Sequence, residues 1–332
     1  MRGVCVFGAG SIGCYVGGRL AAAGVPVTLV GRDSMRRVTA GGMRLQAIDG
    51  SQVEADPRFE TDPAAAAGCN LVLVTVKSGA NREAADALRD VLDADAVVVS
   101  LQNGLHGGAG LRSDLPDHTV LAGTVGFNVV RDGATFRQAT AGDILVQADP
   151  VWTGYDAAFA RAGLPIEQRT DMPAVQRAKL LLNLNNAINA LSGLPLREEL
   201  AQRAFRRCLS LAQREALTVM AASGPAPAKL TALSPALMAR TLAVPDALFR
   251  AVAGQVLAID PTAGSSMADD LAAGRPTEVD WINGAVVQLA ADAGTTAPVN
   301  ARLVELVHDA ERGRRPRWTG RDLLAQLRAA RR

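Results

Sequence analysis

Short apolar runs alternate with helical patterns in the first third of the chain. Val4–Phe7 is continuously apolar, residues 11–23 carry the small side chains of a closely packed helix, and residues 25–30 are apolar again. These lengths and periodicities predict a strand, a helix and a second strand, which together form a βαβ unit.

Two later apolar runs extend this pattern. Residues 70–77 and 96–104 are rich in valine, and a helical stretch lies between them at residues 81–92. Continuous apolar strands are typical of parallel sheets that are covered on both faces. The pattern therefore predicts a doubly wound α/β sheet.

Shorter strands are predicted after Gly107. Residues 120–130 and Ile144–Gln147 have strand patterns, and the Asp132-Gly133 pair between them predicts a hairpin turn. We expect this part of the chain to extend the sheet with antiparallel edge strands.

The second half of the chain is helical in pattern, with Gly, Pro and Ser groups between the helices. The predicted helices are 174–192, 198–222, 235–241, 246–256, 266–272, 278–293 and 297–311. The sequence therefore predicts an α/β N-terminal domain, residues 1–172, followed by an all-α C-terminal domain, residues 173–332.

The first strand-to-helix loop carries a G-x-G-x-x-G motif. Gly8 permits a tight turn, Gly10 lets a pyrophosphate approach the backbone, and Gly13 lets the helix pack closely on the strand. Glycines that serve only the loop conformation are the alternative, but a motif that follows a strand and opens a helix favours dinucleotide binding. Phosphates would bind the helix N-terminus, so the predicted cofactor residues here are Gly8, Ala9, Gly10, Ser11, Ile12 and Gly13.

The end of the second strand distinguishes NADP from NAD. Gly31-Arg32 stands where NAD-binding proteins usually place an acid. Arginine pairs with a 2′-phosphate, whereas a carboxylate repels it, so NADPH/NADP bound by Arg32 is predicted. Asp33 keeps NAD as the alternative, because a shift of one residue would restore the acid. Arg36 and Arg37 either assist or are ordinary surface residues. The first domain is thus predicted to be a Rossmann-type NADP-binding domain.

Lys77 and the Gln102-Asn103-Gly104 turn stand at the carboxyl ends of the two valine-rich runs. In doubly wound sheets, ligands bind outside the carboxyl ends of the strands, where both are expected. A surface lysine and a plain Asn-Gly turn are the alternatives.

The stretch KLLLNLNNAINALSG, residues 179–193, places a lysine and four asparagines in an otherwise apolar helix. At about 100° per residue, Lys179, Asn183 and Asn186 share one face, Asn189 lies about 80° from Lys179, and Asn185 points elsewhere. A buried amide without a partner costs about 1 to 3 kcal/mol. These polar side chains on one helix face therefore favour a bound ligand over the alternative, which is a polar seam between two helices.

Lys179 is the candidate proton donor. A lysine desolvated in a cleft has a pKa lowered towards neutrality and can protonate a reacting oxygen. A second polar cluster, Ser265-Ser266 followed by Glu278, favours this interpretation over an ordinary surface lysine.

Charge and composition exclude several classes of function. The 35 Lys and Arg nearly balance the 33 Asp and Glu, with a net charge of +2, so no nucleic-acid partner is predicted. Residues 312–332 hold eight arginines and one acid, and form either a solvated terminal helix or a contact to phosphate or an anionic membrane. The four scattered cysteines predict neither a metal site nor a disulfide framework.

No apolar run approaches the roughly 18 residues that span a bilayer, and the N-terminus does not resemble a signal peptide. We therefore expect a cytoplasmic protein that does not associate with membranes. The oligomeric state stays open, and a homodimer is one state that the sequence allows.

Together these motifs resemble the ketopantoate reductase (2-dehydropantoate 2-reductase) family across essentially the whole chain. The most specific element is SSM followed by TEVDWING, in which Ser266 precedes Glu278 by twelve positions. The other matching motifs are GxGxxG with Arg32, VKSGA with Lys77, QNG with Asn103, and AKLLLN with Lys179 and Asn183.

The resemblance implies NADPH-dependent reduction of 2-dehydropantoate to pantoate, in the synthesis of pantothenate and coenzyme A. The catalytic residues would be Lys179, as the general acid, and Glu278, which would bind a substrate hydroxyl or the cofactor ribose. Lys77 would contact the cofactor, and Asn103 would hold both nicotinamide and substrate. When the polar residues of the 179–193 helix are added, the predicted substrate residues are Asn103, Lys179, Asn183, Asn186, Asn189 and Ser266.

The chain also departs from the family pattern. The family usually has an asparagine eight residues after the lysine, but this chain has Ala187 there and an asparagine two residues later, Asn189. The family asparagine three residues before Ser266 is replaced by Ala263. The segment LPLREEL stands where the family has an asparagine in a PNG-like turn. Reduction of another branched 2-keto acid is therefore one alternative, and a non-catalytic NADPH sensor is another.

Overall fold

The computed structural model describes residues 3–105, 107–247, 249, 263–314 and 317–331. The chain divides into two compact units, Met1–Met172 and Pro173–Arg332. The first unit contains strands and helices and the second is helical, which confirms the predicted fold class.

Within the described residues, every strand belongs to the first unit. They are β1 Val4–Phe7, β2 Val27–Val30, β3 Met43–Gln46, β4 Gln52–Ala55, β5 Arg58–Glu60, β6 Leu71–Val74, β7 Val97–Ser100, β8 Thr119–Val125, β9 Val129–Asp132, β10 Thr135–Gln138, β11 Ile144–Gln147 and β12 Ile166–Arg169. The α-helices of this unit are α1 Ser11–Ala22, α2 Asp33–Thr39, α3 Asn81–Arg89, α4 Gly107–Asp114 and α5 Asp156–Arg161. Short 3₁₀ helices occur at Pro63–Ala66, Ser78–Ala80 and Pro150–Gly154.

The larger sheet has the strand order β12-β11-β8-β7-β6-β1-β2-β5. The strands from β8 to β5 are parallel, while β11 runs antiparallel to β8 and parallel to β12. Alternate residues of one strand face opposite sides of the sheet, so Val4 and Val6 join one apolar core, and Cys5 and Phe7 join the other. Core on both faces explains why these strands are continuously apolar.

The predicted strand at 120–130 is divided in the structure. It breaks at Gly126, whose N–H donates to the Asp143 carbonyl at 2.8 Å, and β8 and β9 lie on either side of the break. The Asp132-Gly133 turn is confirmed, because β9 pairs antiparallel with β10 across it. However, this hairpin does not extend the main sheet as predicted. It joins β3 and β4 in a second sheet of order β4-β3-β10-β9.

The second unit is built from helices, which begin with α6. Their bounds are α6 Met172–Asn183, α7 Asn185–Ser192, α8 Leu196–Ala201, α9 Arg203–Ala222, α10 Pro235–Thr241, α11 Ser266–Ala272, α12 Val279–Asp292, α13 Pro298–Glu311 and α14 Gly320–Ala329. Two predicted long helices are interrupted, at Leu184 and at Gln202. Most of the predicted helix 246–256 lies outside the described residues.

The arginine-rich C-terminal segment forms α14 and is only partly solvated. Leu323, Leu324 and Leu327 are buried on one face, which packs against α9. A helix with one apolar stripe is stabilised by such packing. Among the described residues, no helix is long and apolar enough to cross a membrane, and no group of His, Cys, Asp and Glu is arranged to hold a metal ion.

Candidate functional site

The glycine loop has the backbone geometry that its motif predicts. Gly8 has a φ of +112°, a conformation that side chains other than glycine rarely adopt. A Cβ at Gly13 would collide with the Gly8 carbonyl and lie 2.7 Å from Thr75 Oγ1. At Gly10, by contrast, the nearest atom to a Cβ would be 4.0 Å away. The backbone at Gly10 is therefore open to a ligand, while Gly8 and Gly13 are closely packed.

Hydrogen bonds tie this loop to its neighbours along the carboxyl edge of the parallel strands. The N–H groups of Gly8 and Ala9 donate to the Val30 carbonyl at 2.9 and 3.0 Å. On the other side, Thr75 Oγ1 donates to the Gly8 carbonyl at 2.7 Å. The strand order reverses between β1 and β6, and ligands bind at such a point in doubly wound sheets.

Lys77 and Asn103 lie on adjacent loops of the same edge. Ser78 Oγ donates to the Asn103 carbonyl at 2.9 Å, and Gln102 Nε2 donates to the Val76 carbonyl at 3.0 Å. Lys77 is exposed and Asn103 is half-buried. The structure thus brings together the predicted cofactor residues of the first unit.

Thr75 was not singled out by the sequence analysis, and Gln102 entered it only as part of the turn that contains Asn103. Gln102 is only 6% exposed, accepts from Ser100 Oγ at 2.9 Å and donates to Asn81. Thr75 directly follows β6, and Gln102 follows the end of β7 by two residues. This placement was an available signal, because such positions fall at the ligand-binding edge.

Arg32 begins the turn into α2 and is exposed. Its guanidinium makes no hydrogen bond or ion pair with a residue in the described part of the chain. Asp33, the residue that favoured NAD, is paired with Arg36 at 2.6 Å and with Arg37 at 3.1 Å. The hydrogen bond from Arg36 lowers the pKa of this carboxyl group. Its negative charge is therefore offset by two cations.

Lys179 lies on α6 in the helical unit and is half-buried. Burial lowers the pKa of its amine to about 8. Its ammonium forms no hydrogen bond or ion pair with any residue that the structure describes. A partly desolvated amine without a carboxylate partner can attract an anion and release its proton near neutral pH.

The asparagines after Lys179 face two directions. Asn183 is 8% exposed, and the half-buried Asn186 amide has no hydrogen bond within the described ranges. Asn185, by contrast, donates to Glu199 Oε2 at 3.2 Å. Its separation from the Lys179 face agrees with the helical angles, although the helix is interrupted at Leu184.

The structure corrects the predicted role of Asn189 as a substrate residue. Its side chain is 0% exposed, and its Nδ2 donates to Glu199 Oε2 and to the Leu194 carbonyl, each at 2.9 Å. Its Oδ1 accepts from the Ser265 N–H at 2.9 Å. These contacts contradict a direct substrate contact, because every polar atom of the amide is used inside the protein.

Ser265 and Ser266 have different positions at the start of α11. Ser265 is 1% exposed, caps the helix by accepting from the Ala268 N–H at 3.1 Å, and donates to the Asn186 carbonyl at 3.3 Å. Ser266 is the first helical residue and is exposed. The predicted substrate residue Ser266 is thus connected through its neighbour to the α7 segment that carries Asn186.

Glu278 precedes α12 and is 8% exposed. The preceding residue, Thr277, donates its N–H to Glu311 Oε1 on α13 at 2.8 Å. The Glu278 carbonyl in turn accepts from the Trp281 and Ile282 N–H groups, each at 3.1 Å. Hydrogen bonds on both sides therefore fix the backbone that carries this side chain.

Comparisons with known proteins match both units to the same family. Residues 4–150 match the model of the family described as Ketopantoate reductase PanE/ApbA, and residues 171–311 match that of its C-terminal part. A 2-dehydropantoate 2-reductase of Halobacterium salinarum is 34% identical over 321 residues, covering 93% of this chain and 99% of that protein. One from Pyrococcus horikoshii is 25% identical over 313 residues, covering 92% and 96%.

Solved structures show the same fold. A PanE/ApbA family ketopantoate reductase from Ralstonia eutropha has a TM-score of 0.80 and 30% identity, with 93% of this chain and 98% of that chain covered. A D-mandelate dehydrogenase in complex with NADH and anilino(oxo)acetate has a TM-score of 0.78 at 17% identity, over 93% of this chain and 98% of that one, and so shares the fold alone. The family matches over both units and the near full-length relative together show that this chain belongs to the ketopantoate reductase PanE/ApbA family.

Proposed function

We propose that this protein catalyses the NADPH-dependent reduction of 2-dehydropantoate to pantoate, with Lys179 as the general acid. The observation that carries the proposal is the buried environment of Lys179 and its lack of an acidic partner, in a chain of this family. The residue is half-buried, burial lowers the pKa of its amine to about 8, and the amine pairs with no described acid. The relatives named 2-dehydropantoate 2-reductase support the choice of substrate.

The chemistry follows from the two protonation states of Lys179. When bound, NADPH supplies the hydride that reduces the ketone carbon. Lys179 Nζ donates its proton to the ketone oxygen, so that negative charge does not accumulate on that oxygen. Before it gives up this proton, the unpaired ammonium attracts the carboxylate of a 2-keto acid. A pKa of about 8 keeps most of the amine protonated at neutral pH while making the proton easy to transfer.

The polar residues near Lys179 would hold the substrate. The Asn186 amide has donors and an acceptor that no described residue uses, and Asn183 lies one turn from Lys179 on the same face. Ser266 offers an exposed hydroxyl at the start of α11. Glu278 would accept a hydrogen bond from a substrate hydroxyl or from the cofactor ribose.

The first unit has the features that a dinucleotide requires. Open backbone at Gly10 and the N-terminal N–H groups of α1 would hold the pyrophosphate. Arg32 would bind the 2′-phosphate of NADPH, assisted by Arg36 and Arg37. Because these two arginines pair with Asp33, its carboxylate would repel the phosphate less. Lys77 and Asn103 would contact the cofactor from the adjacent strand ends, and Asn103 would also hold the substrate.

Replacing Thr75 with valine should weaken NADPH binding about three- to tenfold. Valine keeps the shape of threonine but removes the hydroxyl that donates to the Gly8 carbonyl at 2.7 Å, so the glycine turn is less firmly held. The free energy of unfolding should fall by about 1 kcal/mol, as is typical for one lost hydrogen bond. Fluorescence titration with NADPH and urea unfolding measure the two effects.

Thr61→Val is the matched control for this substitution. Thr61 is exposed, belongs to the same unit and has no side-chain hydrogen bond to a described residue. It should leave both quantities unchanged. Equal NADPH affinity in the two variants would show that the Thr75 hydroxyl does not support the cofactor loop.

NADPH oxidation over a panel of 2-keto acids tests the proposed function. We expect the highest kcat/KM with 2-dehydropantoate. If an analogue is preferred by about 100-fold, or about 2.7 kcal/mol of transition-state stabilisation, the enzyme reduces another branched 2-keto acid. The altered positions Ala187 and Ala263 make this the specific alternative. NADPH binding without turnover of any member would indicate a sensor instead.

The cellular role follows from the reaction proposed. An enzyme that makes pantoate would act in the cytoplasm, in the synthesis of pantothenate and coenzyme A. Restored growth of a pantoate-requiring strain without added pantoate tests this role, and sedimentation velocity tests for a homodimer.

A further inference from the structure

Glu199 is a buried carboxyl group on α8 that the proposed reaction does not use. Its side chain is 0% exposed. Oε2 accepts from Asn185 Nδ2 at 3.2 Å and from Asn189 Nδ2 at 2.9 Å. No lysine or arginine among the described residues forms an ion pair with it. An ionised carboxylate without a cation is unfavourable in such a place.

Two buried oxygen atoms beside this contact have no hydrogen-bond partner in the part of the chain that is described. They are Glu199 Oε1 and Asn185 Oδ1. Both are acceptors, so they cannot bond to each other unless one carries a proton. A proton on Glu199 Oε1 makes it a donor. The carboxylic acid and the Asn185 amide would then form a two-point pair, with one N–H···O and one O–H···O bond.

No described group packed around Glu199 supplies a compensating charge. Arg207 and Arg328 lower the pKa of the neighbouring Cys208 but form no ion pair with Glu199. From α9, Cys208 faces the carboxyl group, and burial raises the pKa of this thiol to about 12, so it is neutral. Arg206, also on α9, donates to carbonyls at the end of α8 and pairs with Asp246 at 2.7 Å. From α7, the uncharged side chains of Asn185 and Asn189 donate to Glu199, and Glu198 on α8 is exposed. Desolvation accordingly raises the pKa of Glu199 to about 8.

The contacts of Asn189 connect this acid to the start of α11. With Nδ2 held by Glu199, the Asn189 amide is oriented so that Oδ1 accepts from the Ser265 N–H. Ser265 caps α11 and donates to the Asn186 carbonyl. The path therefore runs from Glu199 to both the exposed Ser266 and the segment that carries Asn186.

We propose that Glu199 is a positioning residue that acts as a neutral carboxylic acid. Paired with Asn185, it orients Asn189, and Asn189 fixes Ser265 and the first turn of α11 beside Asn186. The effect on substrate binding rests on the proposed function, whereas the protonation state of Glu199 does not.

Unfolding as a function of pH tests the protonation of Glu199 without reference to activity. The folded-state pKa, about 8, lies above the ordinary value of 4.5. The stability that this group contributes is therefore complete below the unfolded-state pKa and is lost as the pH rises through about 8. Glu199→Gln is neutral at every pH and keeps both a donor and an acceptor, so it lacks this loss.

The urea midpoint of the native protein relative to Glu199→Gln should fall between about pH 5 and 8 and then level off. Glu198→Gln makes the same charge change on the exposed side of α8 and should follow the native curve. The infrared band of a protonated carboxylic acid should be present at neutral pH in the native protein and absent from Glu199→Gln. Parallel urea curves for the native protein and Glu199→Gln would overturn the proposal.

Substrate kinetics test the positioning role. Glu199→Leu removes both oxygen atoms, so we expect KM for the keto acid to rise about tenfold, with kcat within about threefold of the native value. The conservative Glu199→Gln variant should restore KM to within about twofold, and NADPH affinity should be the same in both variants. A native KM in Glu199→Leu, or equal impairment of the two variants, would refute the positioning role. If the native protein turns over no keto acid, the proposed function fails while the unfolding test still decides the state of Glu199.

Discussion

Lys179→Ala should lower kcat for 2-keto acid reduction by about 10²- to 10⁴-fold, the contribution typical of one general acid. Alanine removes the only proposed proton donor, and no other described group is assigned to that task. The proposed NADPH contacts do not include Lys179, so the dissociation constant of NADPH should not change. Stopped-flow measurement of NADPH oxidation at saturating substrate gives kcat, and fluorescence titration gives the NADPH affinity.

The native enzyme should show the matching pH dependence. Because the proton donor has a pKa of about 8, kcat should fall about tenfold for each pH unit well above that value. The Lys179→Ala variant should lose this dependence.

Lys229→Ala is the matched control, because Lys229 is an exposed lysine of the same unit. It should retain native kcat and KM. If Lys179→Ala kept more than about a tenth of native kcat, the general-acid role would be wrong, whatever its NADPH affinity.

Arg32→Ala should weaken NADPH binding by about 10- to 100-fold while changing NADH binding little. A charge-assisted hydrogen bond contributes about 1.5 to 3 kcal/mol, and each 1.4 kcal/mol corresponds to about a tenfold change in Kd. NADH has no 2′-phosphate, so the same substitution removes nothing from it. Titration of native protein and variant with both dinucleotides measures the change in preference.

Two further arginines sharpen this test. Arg36→Ala should give an intermediate loss of NADPH affinity, since Asp33 would lose its partner at 2.6 Å. Arg44→Ala serves as the control, because Arg44 is an exposed arginine of the same unit that pairs with Glu54 at 3.4 Å. Unchanged NADPH affinity in Arg32→Ala would mean that the 2′-phosphate site lies elsewhere.

Local patterns were sufficient to predict the main strands and the glycine loop. Val4–Phe7 was predicted with its observed ends, because a buried strand must be apolar on both faces. Strands β3 and β4 were not predicted. Each has only four residues, β3 alternating buried with more exposed positions and β4 alternating exposed with half-buried ones. Their sheet depends on pairing between β3 and the distant β10. Such pairing leaves no local signal.

In the helical unit too, local sequence patterns predicted side-chain direction but not the contacts of single residues. The period of 3.6 residues separated Lys179, Asn183 and Asn186 from Asn185, because side-chain direction follows from local geometry. It did not reveal that Asn189 is used inside the protein. That role depends on Glu199 and Ser265, which other helices bring to it.

The sequence by itself determined the order of an α/β part and a helical part, the glycine loop, and the lysine that we propose as proton donor. Each of these depends on short-range periodicity or on residue types within one segment. Only the tertiary structure decided that Asn189 serves the protein rather than a ligand, and that Glu199 is buried with no ion pair to a described lysine or arginine. These properties depend on which atoms surround a side chain, and packing between distant segments sets those surroundings.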